Sequence, residues 1–160
     1  MRRFTRHRYL AVLMAPLLLA GCGASSPTGT AEAMLKRVKA PPGFRVVGKC
    51  ELGPNTRCYR RKPFMPLDEA SFDTLIAASG LKLSRKPLMW CRNLARRRPK
   101  VYVVDNCEAR ADLHSVEFAV FATAVKLVNG SSLRPRDLKL VRSQRGTIYE
   151  VTPVTTDADS

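Results

Sequence analysis

The clearest hydrophobic pattern in the chain lies over residues 67–80. Phe72, Leu75 and Ile76 recur at i, i+3 and i+4, the spacing of one apolar helical stripe. Asp68 stands where a side-chain oxygen can cap the first turn. Leu67 and Phe72 hold the two positions of a hydrophobic staple, and Gly80 supplies a left-handed stop. A helix is predicted there. A shorter helix is predicted over residues 31–40, with Met34, Leu35 and Val38 on one face and Lys36, Arg37 and Lys39 on the other, until Pro41-Pro42 ends it.

Elsewhere the pattern turns to strands. Residues 44–47 begin one, and residues 57–62 are its hairpin partner across the turn signal Gly53-Pro54-Asn55. Further strands are predicted over residues 82–90, 100–107, 115–128 and 147–154. The run 115–128 reads both ways, because Phe118, Phe121 and Val125 also fit helical spacing. Alternation of Val116, Phe118, Val120, Ala122 and Ala124, with many β-branched and aromatic residues, favours a strand, and Asn129-Gly130 beyond it is a hairpin signal. The sum is a small α+β domain, an antiparallel sheet packed by one principal helix plus a short N-terminal helix. A chain of 160 residues holds one such core and is too short for two of ordinary size.

The first residues follow a different rule. Residues 1–9 carry four arginines and no acid, and residues 10–20 (LAVLMAPLLLA) form an unbroken apolar run. Eleven residues of helix reach about 16 Å, roughly half the ~30 Å of a bilayer core, and Pro16 interrupts them. A basic segment followed by a short apolar one is the pattern of a secretory signal peptide. Leu19-Ala20-Gly21-Cys22 then resembles the lipobox of bacterial lipoproteins. The resemblance implies diacylglycerol transfer to the Cys22 sulfur, cleavage before Cys22, and a cell-membrane location, lipid-anchored and facing the extracytoplasmic side. Residues 1–21 are thus expected to be a signal peptide, 22–30 a flexible tether of small polar residues, 31–155 the domain and 156–160 a polar tail. Arg2-Arg3 sits directly before Phe4, so a plainly basic segment fits better than a twin-arginine signal.

Composition changes the picture in two ways. Beyond Cys22 there are four cysteines, Cys50, Cys58, Cys91 and Cys107, an even number that outside the cytoplasm reads as two disulfides. Three connectivities are open. Local geometry favours Cys50–Cys58, which bracket a turn between two strands, and Cys91–Cys107, which bracket a basic loop leading into a strand. A four-thiolate zinc site would want its ligands in close pairs, and the gaps here are too long, so no metal and no cofactor are expected.

The second change is charge. Lys and Arg number 28 against 13 Asp and Glu, a formal +15, and loss of the four leader arginines leaves +11. Basic residues gather in Arg57, Arg60, Arg61 and Lys62, around the second cysteine loop, and in Arg134, Arg136, Lys139, Arg142 and Arg145. Near a membrane the available polyanions are lipid headgroups and wall or surface polymers. The candidate contact is the set Arg92, Arg96, Arg97, Arg98 and Lys100. Nucleic acid is not the expected partner, because no aromatic residues interleave with the arginines and the compartment is wrong.

Catalytic patterns are sparse. His114 is the one histidine beyond the leader, and Ser115 beside it would point to the opposite face of a strand. Phosphate loops, dinucleotide fingerprints and nucleophile elbows are absent from the sequence. The mature chain resembles the small, disulfide-bonded lipoproteins of unassigned role of high-GC Gram-positive bacteria. The expectation is a membrane-anchored, non-catalytic binding or envelope-accessory module with a basic surface, meeting an anionic lipid, a wall polymer or an envelope protein. The competing expectation is a small envelope enzyme using His114 and a nearby carboxylate.

Overall fold

The computed structural model describes residues 27–82, 89–93, 102–114, 116–128 and 133–154. The elements follow in the order α1 (Pro27–Leu35), β1 (Arg45–Val46), β2 (Arg57–Arg61), α2 (Glu69–Ala78), β3 (Trp90–Asn93), β4 (Tyr102–Leu113), β5 (Val116–Leu127), α3 (Pro135–Gln144) and β6 (Gly146–Pro153). All six strands form one antiparallel sheet in the order β1-β2-β6-β5-β4-β3. The last strand therefore runs through the middle of the sheet, between β2 and β5.

Its backbone is the long hairpin β4–β5, paired from Tyr102↔Leu127 to Leu113↔Val116. His114 closes the hairpin tip with φ +59°, the left-handed conformation that a tight hairpin loop demands. Alternation along β5 sorts its side chains as the sequence pattern predicts. Phe118, Val120, Ala122 and Ala124 are buried in the main core, together with Cys107, Ala109 and Ala111 of β4 and Tyr149 and Val151 of β6. The run that fits both periods is a strand.

Helix α2 lies over this core face, because the connection from β2 to β3 must travel from one side of the sheet to the far edge. Phe72, Leu75 and Ile76 supply its buried stripe. Its start is a complete capping box. Ser71 donates its backbone N–H to the Asp68 carboxylate at 2.7 Å, and the Ser71 hydroxyl receives the Asp68 N–H at 3.0 Å. Gly80, at φ +78°, follows its end. The connection before it is pinned by two side chains of the sheet: the Met65 N–H donates to Thr147 Oγ1, and the Leu67 N–H donates to Asp105 Oδ2. Asp105 and Thr147 are both buried, so the chain's own amides satisfy them.

Two sequence expectations are corrected. Helix α1 begins at Pro27, inside the segment read as tether, and ends at Leu35, with Val38 and Phe44 continuing the packing as non-helical residues. The sheet carries two ten-residue helices rather than one principal helix, because residues 135–144 form α3. The return from β5 to β6 therefore passes through α3, and Asn129-Gly130, the expected hairpin turn, lies outside the described residues. Most of the strand expected over 82–90 lies outside the described residues; Lys82 forms an isolated bridge with Asp112, and Trp90 begins β3.

Helix α3 sits on the opposite side of the sheet from α2. Val125 lies one residue past Ala124 and so faces away from the main core. Together with Ile148 and the α3 residue Val141 it is buried outside that core. Gly146, at φ +103°, makes the exit from α3 possible. A Cβ there would run into the carbonyl oxygens of Arg61 and Lys62 on the neighbouring strand.

Candidate functional site

The basic residues are the feature that the fold redistributes most. Residues 134–145 carry Arg134, Arg136, Lys139, Arg142 and Arg145 against one acid, Asp137, a net of +4. All five cations are exposed. Among the described side chains of α3, Val141 is the buried one. At 100° per residue, Arg136, Lys139 and Arg142 then share an arc of about 120° on the outer and flanking sides. Among the described residues none of these three meets a carboxylate. An ion pair among the described residues, Arg110 with Glu117 at 3.3 Å, is exposed and elsewhere, near the tip of the β4–β5 hairpin.

The local sequence explains why a helix stands here. Pro135 occupies the first helical position, where its missing N–H costs nothing, although Arg134 at the cap position offers no side-chain hydrogen bond. The C-terminal end is better tied. The Arg60 guanidinium donates to the Ser143 carbonyl at 3.1 Å, a cation on the negative end of the helix dipole. Gln144 reaches Glu51 at 3.4 Å, and the Glu51 N–H donates to Glu150 on β6 at 3.3 Å. Burial pushes the Glu150 carboxyl above the usual carboxylate range, the Glu51 amide draws it back, and the Glu51 charge raises it further. Along one flank of α3 runs a shallow open groove of about 520 Å³, lined by Pro135, Leu138, Lys139, Arg142 and Ser143. Apolar residues and cations therefore lie side by side along one helix edge.

Arg92, the described member of the predicted anionic contact, lies on β3. It pairs with Asn106, whose side chain accepts from the Thr123 hydroxyl at 3.1 Å. Thr123 and Val125 share a face of β5, so Arg92 projects from the same side of the sheet as α3. It is exposed, and its guanidinium stacks 3.0 Å above the Trp90 ring. Arg96, Arg97, Arg98 and Lys100 lie outside the described residues, as does Cys22. The cluster Arg57, Arg60, Arg61 and Lys62 does not form one stripe. Alternation sends Arg60 towards α3, while Arg61 lies on the other side with its guanidinium against the Met65 sulfur at 3.5 Å.

Both predicted disulfides are present. Cys91 and Cys107 face each other directly in the β3–β4 register with Cα atoms 4.1 Å apart. Cys50 and Cys58 close the loop between β1 and β2 across 5.7 Å. They staple the two sides of the sheet, Cys107 from within the core. With four cysteines paired to one another, Cys22 has no partner of its own kind in the chain.

His114 is exposed at the hairpin tip and makes no hydrogen bond or ion pair among the described residues. No group of three or more possible metal ligands occurs among the described residues. Nor is any helix among them long and apolar enough to cross a membrane.

These elements define a six-stranded antiparallel sheet with an acidic-capped helix on one face and a basic helix on the other. No family model matches the chain, and neither the curated proteins nor the solved structures contain a match.

The basic helix α3 was missed at the level of sequence. A signal for it existed, since Pro135 followed by Leu138 and Val141 is a helix start with an i, i+3 apolar pair. The Asn129-Gly130 turn signal pointed more strongly to a direct hairpin.

Proposed function

We propose that this chain is a lipid-anchored, extracytoplasmic binding or envelope-accessory module that works through a basic surface rather than a catalytic centre. The observation that carries the reading is the cysteine arrangement. Four of five cysteines pair within the domain, as suits an oxidising compartment. The fifth is Cys22, preceded by Leu19-Ala20-Gly21 and a basic-then-apolar leader. Two or three acyl chains there would hold the protein to a membrane, because each buried methylene contributes about 0.8 kcal/mol. The fold supplies the domain that such an anchor would present, with cations of α3 and β3 turned to one side.

The test is the intact mass of protein recovered from membranes of a host that processes lipoproteins. Loss of residues 1–21, added acyl mass, and a gain of about 4 Da on reduction, two hydrogens per disulfide, are the expected results. Cys22→Ser is expected to retain residues 1–21 uncleaved. An unmodified Cys22 in the native chain would overturn the anchor, and free thiols would overturn the compartment.

A further inference from the structure

We propose that α3 is the membrane-facing element of the domain, docking its exposed cations Arg136, Lys139 and Arg142 on the headgroups of anionic phospholipid. The inference rests on the proposed anchoring for its setting and goes beyond it in naming the contact and the orientation.

Three observations converge on α3 and not on the other helices. The first is the charge of the two helical layers. The layer made by residues 27–40 and 68–79 holds Lys36, Arg37 and Lys39 against Glu32, Asp68, Glu69 and Asp73, a net of −1, whereas residues 134–145 carry +4. Of the two helical layers, an anionic plane is therefore attracted by α3 and not by the one opposite, which favours an orientation as well as adding affinity. The second is availability. Arg136, Lys139 and Arg142 are exposed and without carboxylate partners among the described residues, so docking breaks no ion pair described for them. The third is the flanking groove, in which Pro135 and Leu138 lie beside Lys139 and Arg142. That juxtaposition suits an amphiphile whose phosphate meets the cations while apolar surface lies next to it. Arg92 is exposed on the same side of the sheet. A soluble wall polymer would satisfy the charges, but it would make no use of the apolar edge.

At physiological salt each cation near an anionic leaflet favours the docked state about fivefold, so three together favour it on the order of a hundredfold. Lys139 is the lysine within α3 and can report the contact. The full chain is placed on vesicles of phosphatidylcholine alone, or of phosphatidylcholine with phosphatidylglycerol. It attaches to both, by acyl chains on Cys22 or by the retained apolar leader, so only headgroup charge differs. An amine-acetylating reagent is applied briefly, and labelling at Lys139 is compared with labelling at Lys36 on the opposite layer by mass spectrometry. The expected result is labelling at Lys139 slowed tenfold or more by phosphatidylglycerol, with Lys36 unchanged. High salt should abolish the difference, and so should the double variant Arg136→Gln/Arg142→Gln, which leaves the reporter in place.

Equal labelling of Lys139 on the two vesicles would overturn the proposal. So would a slowing shared by Lys36, or protection that survives in the double variant. Protection given by soluble polyphosphate, but not by phosphatidylglycerol, would assign the surface to a polymer instead. Failure of the anchor would show separately, as an unmodified Cys22 in the intact mass, and would leave the labelling comparison readable.

Discussion

Helices α2 and α3 have the same length and lie on opposite faces of one sheet, yet the chain uses them for different things. Helix α2 turns Phe72, Leu75 and Ile76 into the main core, starts with a complete capping box, and is flanked by acids at its N-terminus, where the helix dipole favours them. Helix α3 buries Val141 over Val125 and Ile148, has no side-chain cap, and exposes the cations Arg136, Lys139 and Arg142. Burial and capping stabilise a helix by several kcal/mol, whereas exposed like charges on one arc weaken it slightly. A segment that tolerates such charges is stabilised from elsewhere, here by Arg60 at its C-terminal end and by the sheet beneath. The contrast sets a helix built for burial against one that carries exposed charge.

The comparison breaks most visibly at Phe72 and Leu138. Phe72→Ala removes a fully buried ring and should cost about 3–5 kcal/mol in denaturant unfolding. Leu138→Ala trims a half-exposed side chain, so at most about 1 kcal/mol should be lost. Comparable losses would mean that α3 is as deeply built into the core as α2.

Gly146 tests how α3 is joined to the sheet. Gly146→Ala places a Cβ against the Arg61 and Lys62 carbonyls in a left-handed conformation and should cost about 3 kcal/mol or more. Gly80→Ala, also at positive φ but with open space around its Cβ, should cost about 1 kcal/mol. Thermal unfolding of the two variants separates steric clash from backbone strain.

Tyr59 and Tyr149 sharpen the account of the packed face. They are register partners with ring centroids 6.2 Å apart. Tyr59 donates its hydroxyl to the Val38 carbonyl at 2.7 Å, while the buried Tyr149 hydroxyl has no hydrogen-bond partner among the described residues. Burial pushes both phenols above their ordinary range, Tyr149 further. Tyr59→Phe should cost about 1–3 kcal/mol by leaving a buried carbonyl unpaired. Tyr149→Phe should be neutral or slightly stabilising, and a large loss there would reveal a partner in solution.

The smallest effect expected is a pH dependence at Asp105. Burial raises its carboxyl above the usual range, against the lowering pull of the Leu67 N–H, and the nearby Asp68 charge raises it further. A raised folded value means that this group favours the fold most at low pH, and that the benefit is lost as pH climbs through the folded value. Asp105→Asn keeps an acceptor for Leu67 and cannot ionise. Its stability relative to the native chain should therefore rise with pH across that window and then level off. Asp68 acts in the opposite sense, since the Ser71 hydrogen bonds lower its carboxyl and its contribution is lost as pH falls through the lowered value.

Much of the packed face was legible in the sequence because it is written in local rules. The stripe of α2, its Asp68 cap, the alternation of β5 and both cysteine pairs each depend on residues close in sequence or on a single period. The basic face was not, because its helix is marked by few apolar residues and its place depends on β6 returning to the centre of the sheet. That return also decides which arginines act together. Arg60 joins α3, Arg61 turns to the other side, and Arg92 reaches the α3 side from the far edge, none of which follows from their spacing.

The most direct test of a charge-bearing face set against a stability-bearing one uses two variants of equal net charge. In one, Arg136, Lys139 and Arg142 become Gln, and in the other Lys36, Arg37 and Lys39 become Gln. Each is loaded in detergent on a cation-exchange matrix and eluted with rising salt. The account predicts that the α3 variant leaves the matrix at clearly lower salt than the native chain, while the other variant elutes close to it. Equal shifts in the two would contradict the account, because positive charge would then act through the whole surface and not through α3.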